Sequence, residues 1–235
     1  MKFNLPKLSN PNIEGEVLYP FGPPIYHTDI DHDIIDLCIS EGRKNKEEHD
    51  HREHLAGNFY NGTSVSFPYG NNARNKIDNL IRNKIVHFTD LLCKTYGNDW
   101  NQIARLYKKE NRLRLDSIWI NFQNKHDFNP PHNHGGLLSF IIFGDVDERI
   151  FTEGGPPTNS EKSGQLSFMF GERITPLQMT MLNIKPYKGL MFIFPSSLKH
   201  YVTPYWIDSE RISMSGNYVL EGNPYYQTQK NSNLS

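Results

Sequence analysis

The sequence predicts a mainly β protein with helices gathered in its N-terminal half. Three observations carry that expectation. Helical periodicity, with apolar residues three and four apart, is confined to segments before residue 112. After residue 112 the apolar period falls to two, the spacing of strands. Clusters of Gly and Pro then cut the alternating runs into short pieces. Helices first and strands afterwards suggest helices packed outside a β-sandwich or barrel.

The elements follow in order. Residues 1–29 are Pro-rich and extended, with strands near Val17–Tyr19 and Ile25–His27. Residues 32–46 set Ile34, Ile35, Leu37, Cys38 and Ile39 among charged neighbours, a short amphipathic helix. In the strongest helix, 73–96, Ile77, Leu80, Ile81, Ile85, Phe88, Leu91 and Leu92 recur at helical steps, and Gly97 follows as a stop. A further helix is expected from Asp99, with Gln102 placed as in a capping box, to about Lys109. Strands are expected over 115–123, 137–143, 165–170, 177–184, 189–195 and 211–220. Residues 147–164 form the longest loop-like insertion, a candidate lid or substrate loop. No internal repeat or domain boundary stands out. The expectation is one domain over 1–235: helical support at about 30–110, a strand core at about 112–220 and a polar tail at 221–235.

Composition narrows the function classes. The chain is 37% hydrophobic and 22% charged, a globular balance. A formal net charge of −1 gives no global electrostatic case for nucleic acid or a membrane surface. No apolar run reaches membrane-spanning length, and the N-terminal residues lack the apolar region of a signal peptide. Cys38 and Cys93 read as two buried free thiols in a reducing compartment. These features together predict a cytoplasmic protein.

Histidine is the residue type to follow, with ten in the chain. His132 and His134 lie at i and i+2, so an extended backbone aims both at one point. Pro130 and Pro131 favour that geometry. A metal site and a solvated loop are both open on this evidence. His200 closes a near-continuous apolar run and is either a third ligand from a distant strand or a hydrogen-bonded strand-end histidine. Arg211, Ser213, Ser215 and Asn217 share one face of the last strand. On an edge strand that polar stripe faces solvent; in a barrel interior the buried charge requires an anionic partner. The guanidinium fork suits a carboxylate, to which Ser213 adds a hydroxyl donor. The His- and acid-rich run EEHDHREH (47–54) reads as a solvated loop. His27, His32, His87 and His126 read as surface or capping groups.

The motifs PPHNHGGLLSF, GLMFIFPSSLKHYVTP and ERISMSGNY, over roughly residues 117–218, resemble the 2-oxoglutarate- and Fe(II)-dependent oxygenases. The likeness is narrowest to a prolyl 4-hydroxylase-related group found in bacteria and phages. In that group a Trp-x-Asn strand, here Trp119-Ile-Asn121, precedes an Asn-x-x-His-x-His segment, here Asn129 to His134. The group's Phe-Pro-Ser-x-Leu-x-His corresponds to Phe194 to His200, and its Arg-Ile-Ser to Arg211 to Ser213. The resemblance implies a double-stranded β-helix, also called a jelly roll and cupin-like, with supporting helices. It implies Fe(II) held by His132, His134 and His200, and 2-oxoglutarate held by Arg211 and Ser213. Trp119, Asn121 and Asn217 are implied near the site, against the substrate or behind the residues that hold the iron and 2-oxoglutarate. The implied reaction consumes O2, decarboxylates 2-oxoglutarate to succinate and hydroxylates a C–H bond of an unidentified peptide or small molecule.

Two departures stand out. The superfamily's first pair is usually His-x-Asp or His-x-Glu, and here the acidic position is His134. An alternative register, His134-Gly135-Gly136, leaves that position open, as in the related halogenases. The family's Leu-Ser-Gly-x-Tyr-Tyr strand is Leu138-Ser-Phe-Ile-Ile-Phe143 here, without the tyrosine hydroxyl. A cupin-like zinc hydrolytic centre and a non-catalytic jelly-roll binding module are the competing readings. Zinc hydrolysis gives Arg211 and Ser213 no role.

Overall fold

Why the helices sit where they do is visible in the computed structural model, which describes residues 16–18, 22–57, 59–96, 112–153, 155, 163–172 and 180–221. In α1 (His32–Lys44), Ile35, Cys38, Ile39 and Gly42 face inward. Gly42 is the point of closest approach, because a Cβ there would lie 2.6 Å from Ile120 Cγ2. In α2 (Asn72–Tyr96), Ala73, Ile77, Ile81, Ile85, Phe88 and Leu92 form the buried stripe. Both helices lie on the outer face of one sheet and share one apolar cluster with it.

That sheet has seven strands: β1 (Glu16–Leu18), β2 (Ile25–Asp29), β3 (Thr63–Ser66), β4 (Leu113–Gln123), β6 (Leu138–Phe143), β9 (Leu190–Pro195) and β11 (Arg211–Leu220). Their order is β1-β2-β9-β6-β11-β4-β3. A second sheet, in the order β5-β10-β7-β8, is built from β5 (Asn129–His132), β7 (Leu166–Met169), β8 (Met181–Ile184) and β10 (Lys199–Val202). Every pairing is antiparallel. The alternation along the strands divides the residues between two layers. Phe140 and Ile142 of β6, with Met191 and Ile193 of β9, join the helices. Ile141, Phe143, Phe192 and Phe194 instead meet Leu166, Phe168, Leu182 and Ile184 of the second sheet. Two facing antiparallel sheets with helices outside make the expected jelly roll.

The differences from expectation have local causes. β3, β5 and β10 are too short for a periodic signal, and β5 contains two prolines. The 147–164 insertion includes a one-turn helix, α3 (Arg149–Thr152). β11 is no edge strand: it runs between β6 and β4, so its polar stripe points inward. His27 is buried on β2 beside Phe192, because that strand is covered on both faces. Cys38 is buried and Cys93 half-buried, both as free thiols. The helix expected at 99–109 and the polar tail beyond Glu221 lie outside the described residues. Among the described residues, no helix is long and apolar enough to cross a membrane.

Candidate metal centre and its cavity

Pairing of β5 with β10 sets His132 directly opposite His200. His134 follows two residues on, its position fixed by the bond from its backbone N–H to the Ser196 carbonyl at 2.9 Å. The three rings close into a cluster, with centroid separations of 4.5 Å for His132 and His200, 4.9 Å for His132 and His134, and 5.1 Å for His134 and His200. One ring nitrogen from each lies within 4.8 Å of the others, close enough to hold a single metal ion.

Ring orientation supports that capacity. His132 Nδ1 lies 2.7 Å from the Pro130 carbonyl, and His200 Nδ1 lies 3.0 Å from the Leu198 carbonyl. A carbonyl only accepts, so in the neutral rings Nδ1 carries the proton and Nε2 keeps its lone pair. Burial, and then the charge of neighbouring imidazoles, pushes His134 and His200 down to about 3. Burial also lowers His132, against the Pro130 hydrogen bond. All three are therefore neutral donors at neutral pH.

The other end of the same cavity holds Arg211, 2% exposed. Its register partner across the ladder is Gln123, and Ser213 stands opposite Asn121 and Ser215 opposite Trp119. These six side chains line the cavity together with the three histidines. Arg211 Nη1 donates to the Gly164 carbonyl at 3.0 Å and Nη2 donates to Gln123 Oε1 at 2.5 Å, while Nε has no partner. Among the described residues no carboxylate forms an ion pair with it. Burial lowers its guanidinium to about 10, partly opposed by nearby Tyr205, and leaves it charged at neutral pH. An isolated buried cation opening on a cavity is a receptor for an anion.

A second, outer cavity of about 500 Å³ meets the first at a shared wall of Trp119, Asn129, His132 and His134. Asn217 belongs to this outer space rather than to the inner one, and its Oδ1 accepts from Ser139 Oγ at 2.7 Å. The run 47–54 is not the freely solvated loop expected. His51 N–H donates to the Ser64 carbonyl and Ser66 N–H to the His49 carbonyl, which folds the run against β3. The His51 ring then stacks on Trp119 at 5.1 Å, and Trp119 in turn lies 5.6 Å from His134. Burial, with a contribution from His54, pushes His51 down to about 4. His126, the other histidine near the metal-binding loop in sequence, is exposed beside Trp206 and lines neither cavity.

Residues 117–217 match the family model described as "Putative 2OG-Fe(II) oxygenase". Over those residues the β core is similar to the 2OG-Fe(II) oxygenases. The co-reactants of this oxygenase family are the Fe(II) and 2-oxoglutarate of its description. The fold is similar to that of a Pseudomonas putida prolyl-4-hydroxylase, at 14% identity, 84% coverage of this chain and 93% of that one, with a TM-score of 0.52. It is also similar to a Trichoplax adhaerens prolyl hydroxylase solved with a hypoxia-inducible-factor peptide, at 10% identity, 83% and 84% coverage and a TM-score of 0.51. No curated protein matches the sequence.

Within the β core, His132 stands in the cluster rather than withdrawn from it. Gly136, at φ +124°, packs its Cα against the Tyr218 carbonyl, where an added Cβ would lie 2.9 Å away. Two residues escaped the sequence reading. Gln123 carried a signal, since it shares the alternating face of Trp119 and Asn121. His51 carried none, because only tertiary folding brings its loop to the site.

Proposed function

We propose that this protein is an Fe(II)- and 2-oxoglutarate-dependent dioxygenase that hydroxylates a C–H bond of its substrate. The observation that carries the reading is the pairing of ends in one cavity. Three neutral imidazoles converge at one end, and a buried guanidinium, with no carboxylate partner among the described residues, waits at the other. His132, His134 and His200 would hold Fe(II) through nitrogen lone pairs and leave open positions. Arg211, with Ser213, would hold the far carboxylate of 2-oxoglutarate. When bound, the iron and the oxo acid supply the oxidising chemistry, in which O2, 2-oxoglutarate and R–H become succinate, CO2 and R–OH.

The chain's own groups then do three things. The apolar residues Phe168 and Phe194 press on His200 and exclude water from that side. The Nδ1 hydrogen bonds fix the ring planes of His132 and His200. The outer cavity admits the substrate past Asn133, Asn217 and His51. Among the described residues no Lys or Arg lines it, so an uncharged or cationic group suits it better than an anion. The fold likeness to two prolyl hydroxylases makes a prolyl residue in a peptide the first substrate to try. A zinc hydrolytic centre is disfavoured because it leaves the buried Arg211 without a task.

The test is anaerobic addition of Fe(II) and 2-oxoglutarate. A weak visible charge-transfer band is expected. Protein that retains iron yet never develops the band overturns the reading.

A further inference from the structure

The acceptor that holds Arg211 is an amide, and its chemistry matters. Gln123 is 1% exposed and its two ends are both committed. Its Nε2 donates to the Asp127 carbonyl at 2.7 Å, which leaves Oε1 facing Arg211 Nη2. The turn that presents the Asp127 carbonyl is itself braced. Asp127 is fully buried, and its carboxylate accepts from the backbone N–H groups of Asn61 at 3.1 Å and Asn124 at 2.8 Å. His126 N–H donates to the Tyr205 carbonyl, and Tyr205 Oη donates to the Gln123 carbonyl at 2.6 Å. The amide therefore cannot turn over without losing two hydrogen bonds. The Asp127 carboxylate is thereby spent on backbone donors rather than on Arg211.

A carboxylate at position 123 would satisfy Arg211 more strongly than an amide does. It would also cancel the charge the cavity offers to a ligand. We propose that Gln123 is a specificity-determining residue: it fixes the Arg211 fork while leaving the positive charge unspent, so the cavity demands a dicarboxylic co-substrate. The inference rests on the dioxygenase reading above. It adds that selectivity for the second carboxylate is set by the neutrality of residue 123 as much as by the presence of Arg211.

The experiment compares 2-oxoglutarate with 2-oxopentanoate, the same carbon chain without the far carboxylate. Binding to zinc-substituted, full-length protein is measured by calorimetry, with no turnover required. Native protein is expected to prefer 2-oxoglutarate by about a hundredfold, the scale of two charge-assisted hydrogen bonds. In Gln123→Glu that preference should collapse to about tenfold or less, with zinc still bound. Gln123→Met removes the acceptor and keeps the site neutral, so its preference should stay within about tenfold of native. A Gln123→Glu protein that keeps the native preference overturns the inference. So does a Gln123→Met protein that loses it, since hydrogen bonding and not neutrality would then be the cause. If Gln123→Glu does not fold, the Met variant decides alone. Native protein that binds neither oxo acid would instead remove the dioxygenase reading beneath it.

Discussion

The two ends of the inner cavity receive the same treatment and answer differently. Burial lowers the imidazoles at one end and the guanidinium at the other. The imidazoles start near neutrality, so burial makes them uncharged and frees their lone pairs. The guanidinium starts so high that even at about 10 it stays protonated. One desolvated space thus holds neutral donors for a cation at one end and a fixed cation for an anion at the other. The residue types, rather than any difference in environment, create that polarity.

Substitutions should separate the two ends. His200→Ala has the largest expected effect. Removing an outer partner of a ligand costs roughly 10–100-fold in metal affinity, so removing the ligand itself should cost at least about a hundredfold. Metal analysis after dialysis would show it, and full iron retention would exclude His200 as a ligand. Arg211→Ala should weaken 2-oxoglutarate binding by about a hundredfold while iron stays bound. Loss of iron with unchanged oxo-acid affinity would mean the two ends are not independent. Ser213→Ala should weaken the oxo acid only about fivefold, the worth of one hydrogen bond of about 1 kcal/mol. Its neighbour Met214 faces the helices instead, so Met214→Ala should cost about 2–5 kcal/mol in denaturant unfolding and leave affinity alone. His51→Ala should be smallest, removing a ring stack worth about 0.5–1.5 kcal/mol without touching either end. A melting-temperature scan with iron quantification checks it, and an iron-depleted variant would bring His51 into the metal-binding end.

Legibility in the sequence followed length and periodicity. β4 and β11 were readable from alternation over ten residues or more, and β6 and β9 from near-continuous apolar runs of six. The same alternation put Trp119, Asn121, Gln123, Arg211 and Ser213 on shared faces, though it could not say that β11 is central. That depended on β6 and β4 flanking it, a long-range fact. β3 and β5 were not readable, since Thr63–Ser66 holds a single apolar residue and Pro130 and Pro131 speak against a strand. The solvated reading of residues 47–54 failed for a related cause. Charge density described the run's exposed side chains well and said nothing of the one ring that turns inward onto Trp119.

The pairing of β5 with β10 has one more consequence. β5 is the margin of its sheet, only four residues long, and two of its residues lack an N–H to contribute to the ladder. Its register with β10 shifts between His200 and Val202. Left to backbone bonding alone, this strand is the part of the sheet most ready to peel. An ion shared by His132 and His200 would rivet it in place. Amide exchange over residues 132–134 should then slow on metal loading more than anywhere on the seven-stranded sheet, making a frayed margin the gauge of whether the protein is charged for work.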